Sequence, residues 1–436
     1  MMLDHVNNRP SPKQLAKVST RFYIYDLPEL NLRQYHQRQE LSLKDPEQFE
    51  FLGSDSQVEL LILEALKKHR LRTYDPRKAE IFVIPLSPAT VRISFIHRRE
   101  SEERFYKRAF SALNRQSKFR ATRGARHVIV SIWYGQFEHR FRRIPEYQDD
   151  SLFQFYDQLW NITVADCKSR QGIESLYQEG KHSDFMHFFE YERIRVTRSS
   201  FSVGMIPNKR IPLIAPSSGK FYNSSYFIFY HTRPTNFWSP HSDAFRRAAL
   251  NESVVRGLPS SSIGYDIDSS EWGRRLISSK FCLVIRGDDP GSHALYRSVK
   301  VGCIPVVVSD AYPDYSPAMP SILNIEDYCI FIPESDFMKD PVGELANLAN
   351  LPDRLIAEKL QALAWAQRVV IPDHPESLFV PAFLWESQKA MKMELPHQHP
   401  LEYRESLGCY VAGSDFQRKN GRYCANRRRS DVTFRP

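Results

Sequence analysis

The stretch "KFCLVIRGDDPGSHALYRSVKVGCIPVVVSD", from Lys280 to Asp310, holds two apolar runs separated by a charged turn and a helical pattern. The first run, "FCLVI", is apolar at every position, which is typical of a strand buried on both faces of a parallel sheet. Gly287 and Gly291 allow a sharp turn after it, and Ser292 can cap a helix predicted over about 293–301. The stretch therefore predicts a strand–turn–helix–strand unit.

The same alternation continues in both directions along the chain. Further strand patterns begin at Arg21, Glu80, His127, Tyr226, Ile304 and Cys329. Helical apolar spacing begins at Ser56 and Ser101, and covers 343–370 with a break near Pro352. This β-α-β-α order predicts an α/β fold of two doubly wound, Rossmann-like lobes facing a cleft, in which ligands bind at the carboxyl ends of the strands.

Composition shifts divide the chain into four predicted segments. We expect residues 1–20 to be disordered, 21–215 to form the first lobe, 216–375 the second, and 376–436 a C-terminal tail. The stretch "IPLIAPSSGKFYN" has the Pro, Ser and Gly content of a connection between lobes. The tail is interrupted by proline and ends in a basic run over 418–429, which would suit either a solvated end or a surface for acidic glycan.

Charge favours anionic partners. The 436 residues contain 60 Lys and Arg against 51 Asp and Glu, a net charge of +9. A basic surface that only keeps the protein soluble is the alternative. The sequence lacks the interleaved aromatic and basic motif of an RNA-binding module, so no nucleic-acid partner is expected.

The sequence features that indicate a cellular compartment point in different directions. No apolar run approaches the roughly 20 residues that span a bilayer, and the first residues lack a signal-peptide core, which alone would indicate a soluble protein. Glycosylation sequons at Asn161, Asn223 and Asn251 instead suggest a lumenal protein. Cys409 and Cys424 flank a polar loop, and we expect a disulfide between them.

The turn after "FCLVI" is the candidate anion site. Free N–H groups in the first turn of a helix stabilise an anion, and Arg286 can fork onto a phosphate. Asp288 could accept backbone N–H bonds or bind a sugar hydroxyl, while Ser292 could cap the helix or bond a phosphate oxygen. The alternative is an ordinary βα loop with a surface arginine.

Other polar residues follow predicted strands of the second lobe. His231 and Arg233 come at the end of "YFIFYHTRP", where either could steady a leaving diphosphate, although a strand-end histidine is commonly structural. Glu334 follows "CIFIP" and could bond a sugar hydroxyl or lie in a solvated loop. The "DID" at 266–268 mimics a metal-binding pair, but no further ligand is evident and no metal is expected.

These segments resemble the exostosin glycosyltransferases. "SSKFCLVIRGDDPGSHALYRSVKVGCIPVVVSD" is similar to that family's donor-site signature, and four more segments match in the right order. They are "RFYIYDLPELN", "TYDPRKAEIFVIPL", "ARHVIVSIWYG" and "EDYCIFIPE". The resemblance covers about 21–370.

The resemblance implies a GT-B fold with the acceptor on the first lobe and a UDP-sugar on the second, and no metal. It implies Golgi proteins with a type II membrane anchor, which this sequence does not show, working on polysaccharide or glycoprotein glycans, and hetero- or homo-oligomers are possible. The implied donor-binding residues are Arg233, Arg286, Gly287, Asp288, Ser292, Arg297 and Gly302. His231 and Glu334 are the candidates for catalysis.

Two positions depart from the family pattern. Where the family has a ribose-binding carboxylate, five residues before the glycine of "GC", this chain has Arg297, which cannot accept a hydrogen bond. The turn after "HVIV" lacks the family's carboxylate. Three functions follow: an inverting glycosyltransferase, a non-catalytic relative that binds glycan or joins a synthase complex, and, from charge alone, a nucleic-acid binder.

Overall fold

The computed structural model describes residues 9–30, 58–88, 99–132, 161–168, 170–180, 199–204, 211–232, 240–258, 260–265, 267–287 and 290–392. Within these ranges ten strands form two five-stranded sheets, and every paired strand is parallel to its neighbour. Helices pack on the sheets, so the predicted α/β class with two lobes is confirmed.

The first sheet has the strand order β1-β2-β3-β4-β5. Its strands are β1 (Phe22–Ile24), β2 (Ile81–Ile84), β3 (His127–Val130), β4 (Thr163–Asp166) and β5 (Ser199–Ser202). Residues of β2 to β5 are buried throughout, although β4 and β5 contain several polar side chains. His127 stacks against the rings of Tyr25 and Phe82, and burial lowers the pKa of His127 to about 3.

The second sheet has the order β10-β9-β8-β6-β7. Its strands are β6 (Tyr226–His231), β7 (Ser262–Gly264), β8 (Ser279–Ile285), β9 (Ile304–Val308) and β10 (Ile330–Phe331). The chain leaves β6 for β7 on one side and returns to β8 on the other side. This reversal creates a crevice at the carboxyl ends of β6 and β8, where ligands bind in such sheets.

Helices occur in the regions where the sequence predicted them, from Ser56, from Ser101, over about 293–301 and within 343–370, and elsewhere as well. They are α1 (Pro12–Ala16), α2 (58–68), α3 (Arg99–Asn114), α4 (Ser117–Thr122), α5 (Arg170–Glu179), α6 (Ser218–Tyr222), α7 (Pro240–Ala249), α8 (Glu252–Gly257), α9 (Ser269–Ile277), α10 (Ala294–Lys300), α11 (Tyr312–Tyr315), α12 (Ile325–Tyr328), α13 (Glu334–Lys339), α14 (Pro341–Asn347), α15 (Asp353–Val370) and α16 (Phe379–Lys392). The expected break near Pro352 separates α14 from α15. Across the described ranges, none of these helices combines the length and apolar character needed to cross a bilayer.

The two end segments that the sequence analysis set apart from the lobes, 1–20 and 376–436, each contain a helix. In the segment expected to be disordered, Ser11 and Gln14 form a capping box that starts α1, and Leu15 is fully buried. In the expected tail, α16 packs on α1, β4 and β5 of the first lobe. Phe383 of α16 meets Phe201 of β5 edge-on at 5.3 Å between ring centroids. The chain thus returns to the first lobe, because α16 is apolar enough to complete its core.

Helix α10 belongs to a core that both lobes share. Its residues Leu295, Tyr296 and Val299 are buried in one cluster with strands of the first sheet. The Tyr296 hydroxyl donates to the Ser316 carbonyl (3.2 Å) and accepts from the Ala318 N–H (2.7 Å). The Met319 N–H donates to the Ser202 carbonyl of β5 at 2.8 Å. The lobe boundaries at 215 and 375 stay predictions, but the contact between the lobes is apolar and extensive.

Gly204, just after β5, fixes how closely the lobes approach. Its φ is +74°, and a Cβ atom there would lie 2.6 Å from the Tyr296 ring. We predict that Gly204→Ala destabilises the protein by about 1–3 kcal/mol more than Gly180→Ala. Gly180 is the matched control, since its φ is +64° and a Cβ atom added there would meet nothing within 4 Å. Urea unfolding measures both; equal losses would show that the lobe contact tolerates the methyl group.

Candidate functional site

Four polar residues lie in a row just past or at the carboxyl ends of the second sheet. His231 ends β6, Arg286 follows β8, Asp310 comes two residues after β9, and Glu334 begins α13 after β10. Because these strands are adjacent and parallel, their carboxyl ends meet along one edge. This row contains both predicted catalytic candidates and the predicted phosphate-binding arginine.

Arg286 is the central cation of this edge. Its side chain is only 3% exposed, and its Nη1 donates to Glu334 Oε2 at 3.1 Å and to Oε1 at 3.4 Å. The guanidinium carbon lies 4.4 Å from the ring centroid of Phe245. The alternative of a surface arginine is therefore wrong, because an ion pair and an aromatic face hold Arg286 inside the lobe.

Glu334 connects the ends of three strands. Its Oε1 accepts from the Asp310 N–H at 3.2 Å, and its own N–H donates to Asp310 Oδ1 at 3.0 Å. The same carboxylate pairs with Arg286, so β8, β9 and β10 are tied together at their carboxyl ends. The sequence analysis missed Asp310, although its position soon after the strand "IPVVV" is the signal that would have found it.

The turn that follows Arg286 is anchored to β9. The Gly287 N–H donates to the Gly291 carbonyl at 3.1 Å, and Ser309 Oγ donates to the Pro290 carbonyl at 2.9 Å. Ser292 Oγ accepts from the Ala294 N–H at 3.3 Å, so it satisfies one amide of the first turn of α10. The residue at the N-cap position of α10 is His293, so the predicted roles of Ser292 stay predictions, while Asp288 lies outside the described residues.

His231 is held at both ring nitrogens. Its Nδ1 donates to the Tyr265 carbonyl at 2.7 Å, and its Nε2 lies 2.9 Å from Ser262 Oγ. These partners flank and begin β7, so the ring joins two neighbouring strands. Arg233, the other residue predicted at this strand end, lies outside the described residues.

Arg297 lies on α10 and faces α9. Its guanidinium carbon is 5.7 Å from the ring centroid of Trp272, which itself packs edge-on against Phe229. Burial, together with the nearby Arg297 charge, lowers the pKa of His293 to about 3. His293 is therefore neutral at physiological pH, and Arg297 is the cation of this part of the helix.

Gly302 sits at the opposite end of α10 from the turn. Its φ is +64°, and a Cβ atom would lie 2.8 Å from the Ile214 carbonyl oxygen of the connecting segment. Lys220 Nζ donates to the Gly302 carbonyl at 2.9 Å. Gly302 thus lies at the helix end that meets the connection between the lobes, and its predicted donor contact stays a prediction.

The remaining predicted positions are divided between described and undescribed residues. Cys409 and Cys424 lie outside the described residues, whereas a disulfide that the sequence analysis missed joins Cys282 of β8 to Cys303. Asn161 is partly buried, and Asn223 and Asn251 are exposed. Asp268 caps α9, with its Oδ1 accepting from the Ser270 N–H at 2.9 Å, while Asp266 is undescribed.

The sequence profile of the exostosin family (Exostosin GT47 domain) matches residues 16–162 and 236–347 of this chain. The second range contains Arg286, Asp310 and Glu334, and the two ranges together exceed half of the 436 residues. A search of curated proteins finds no significant match.

The Arg286–Glu334 pair should be required for stability. We predict that Glu334→Gln lowers the free energy of unfolding by about 3 kcal/mol or more, because it leaves a buried guanidinium without its counter-charge. Glu358→Gln is the matched control: its ion pair with Arg354 is 89% and 56% exposed, and its loss should change stability by about 1 kcal/mol or less. Urea unfolding compares them, and equal effects would contradict the assignment.

Proposed function

Because the chain belongs to the exostosin GT47 family of glycosyltransferases, we propose that it transfers a sugar from a UDP-sugar to a growing glycan. The observation that carries the proposal is the cluster of Arg286, Glu334 and Asp310 at the carboxyl edge of the second sheet. A nucleotide-sugar in the crevice between β6 and β8 would place its diphosphate beside this cluster and the turn over 287–292.

The fixed position of Arg286 suits the leaving group. Negative charge develops on the diphosphate as the bond to the sugar breaks, and a cation that is already oriented stabilises this charge without reorganising. Glu334 and Phe245 hold the guanidinium in place beside the proposed diphosphate. We propose that no metal takes part, and that Arg286 and Arg233 share the neutralisation.

The reaction would proceed with inversion. A general base takes the proton of the acceptor hydroxyl, the oxygen attacks the anomeric carbon from the face opposite the diphosphate, and UDP leaves with the bonding electron pair. His231 is poorly suited as this base, since both of its nitrogens are engaged. Glu334 is also poorly suited, because its ion pair with Arg286 stabilises the carboxylate and so makes it a weaker proton acceptor. We propose that Glu334 binds a donor hydroxyl and orients Arg286.

A non-catalytic relative that binds glycan or a partner glycosyltransferase is the second candidate. Arg297 favours it, because this cation replaces the carboxylate that would accept ribose hydroxyls. Its placement over Trp272, one turn after His293, leaves a different role open: Arg297 can brace the diphosphate or select a donor with a carboxylated sugar.

Arg297→Glu separates the two candidates. If Arg297 is a donor contact, the variant should bind UDP at least tenfold more weakly in calorimetry, a difference of about 1.4 kcal/mol. Arg354→Glu is the control, with the same change of charge at an exposed position on α15. Tighter UDP binding or faster transfer by Arg297→Glu would instead favour an impaired, non-catalytic site.

We further propose that the protein works in the Golgi lumen or at its membrane. The Cys282–Cys303 disulfide and the exposed sequons at Asn223 and Asn251 support an oxidising, glycosylating compartment. Peptide mapping of protein from native cells, without reductant, should find the Cys282–Cys303 crosslink and sugar on at least one sequon. Free thiols together with unmodified asparagines would contradict this location.

A further inference from the structure

A depression of about 320 Å³ lies at the amino-terminal edge of the first sheet. It is lined by Arg21, Arg72, Thr73, Tyr74 and Lys78. Arg21 immediately precedes β1, and residues 72–78 lead into β2. The depression shares no residue with the cluster around Arg286, and its volume lies within the roughly 300–1,000 Å³ typical of small-ligand sites.

The backbone around the depression is held in place. Residues 71–73 run beside β1, where the Phe22 N–H donates to the Leu71 carbonyl at 3.2 Å and the Thr73 N–H donates to the Phe22 carbonyl at 2.8 Å. Thr73 Oγ1 accepts from the Asp75 N–H at 3.1 Å, which fixes the turn that follows. The side chains of Arg72 and Tyr74 are therefore presented from an ordered edge.

Both arginines of the depression are oriented by backbone carbonyls. Arg21 Nη1 donates to the Arg70 carbonyl at 3.0 Å, and Arg72 Nη1 donates to the Lys67 carbonyl at 3.2 Å. A guanidinium carries five N–H donors, so each retains donors beyond these bonds. The two charges are positioned before any ligand arrives.

No carboxylate of the described chain forms an ion pair with Arg21, Arg72 or Lys78. The nearby Asp75 is occupied by Arg77, whose Nε and Nη2 contact its two oxygens at 3.0 and 3.2 Å. Three cations therefore line the depression, and the described carboxylates beside them are Asp75, which Arg77 engages, and Glu80, whose Oε1 accepts from the Arg21 N–H at 3.1 Å. This arrangement attracts an anion that presents several carboxylates, which guanidinium groups bind through paired hydrogen bonds.

Tyr74 adds a flat apolar surface to this charge. Its side chain is 77% exposed, and the Arg72 guanidinium carbon lies 4.4 Å from its ring centroid. A simple polyanion has no apolar face that could pack on an exposed aromatic ring, whereas a sugar ring has one. The combination of aromatic ring and cations suits an acidic saccharide better than a simple polyanion.

We infer that this depression is an accessory binding site for a linear acidic oligosaccharide whose sugars carry carboxylates. The site lies outside the proposed donor site and would anchor a charged glycan on the first lobe independently of UDP. Binding should need both the cations and the Tyr74 ring.

The test uses the full chain and α-1,4-linked hexagalacturonic acid as the probe, with maltohexaose as the neutral comparison, at physiological ionic strength. We expect the acidic hexamer alone to bind. The triple variant Arg21→Gln/Arg72→Gln/Lys78→Gln should bind it about tenfold more weakly. Tyr74→Ser should weaken binding several-fold although it changes no charge, and Arg72→Lys should also weaken it, because an ammonium group keeps the charge but cannot form the paired hydrogen bonds.

The matched control removes three exposed cations from the second lobe, through Arg256→Gln/Lys339→Gln/Arg354→Gln, and should bind the hexamer as the parent protein does. Melting temperatures show which variants remain folded, and UDP affinity should be the same in all of them. Equal losses in the two triple variants, no effect of Tyr74→Ser, no binding by the parent protein, or tighter binding of single-stranded polyuridylate than of the hexamer would each overturn the inference.

Discussion

The packing of α10 between the two lobes is the constraint on which the rest of the structure depends. One side of this helix contacts β8 and β9, and Tyr296 on another side fills the space that Gly204 leaves open in the first lobe. The turn over 286–292 enters α10 directly, so any anion bound there is positioned by the interface between the lobes. Dense packing at such a contact transmits small displacements, which makes the geometry of the turn sensitive to how the lobes meet.

The electrostatic design of the candidate site follows from burial. A guanidinium that is 3% exposed needs a counter-charge, and Glu334 provides it while bonding the backbone of Asp310. The pair is net neutral, so it orients donors without creating a strong isolated charge. The proposed diphosphate would therefore need further cations, and we propose Arg297 as one of them.

Several elements were predictable because they depend on local pattern. The alternation of apolar runs and helical spacing predicted two parallel sheets, and the break at Pro352 was visible as a proline in a helical pattern. The helix α16 in the proline-interrupted tail was not predicted, and Pro381 lies in its first turn, where the missing N–H has no partner to lose. The Arg286–Glu334 pair and the Cys282–Cys303 crosslink depend on contacts between neighbouring strands, and no single segment of sequence predicts which strands are neighbours.

His231 was predicted as a strand-end residue. Its partners lie in and beside the short strand β7, which the sequence pattern did not predict.

Hydrogen exchange with and without UDP tests the central claim most directly. The account predicts slower exchange of backbone amides in peptides covering 286–297, and a smaller decrease near Asp310 and Glu334, because a bound diphosphate would shield the turn and the strand ends. Peptides covering residues 72–78 at the amino-terminal edge of the first sheet should not change. Saturating UDP that leaves 286–297 unprotected, or that protects only the first lobe, would contradict the assignment of the nucleotide to the second lobe.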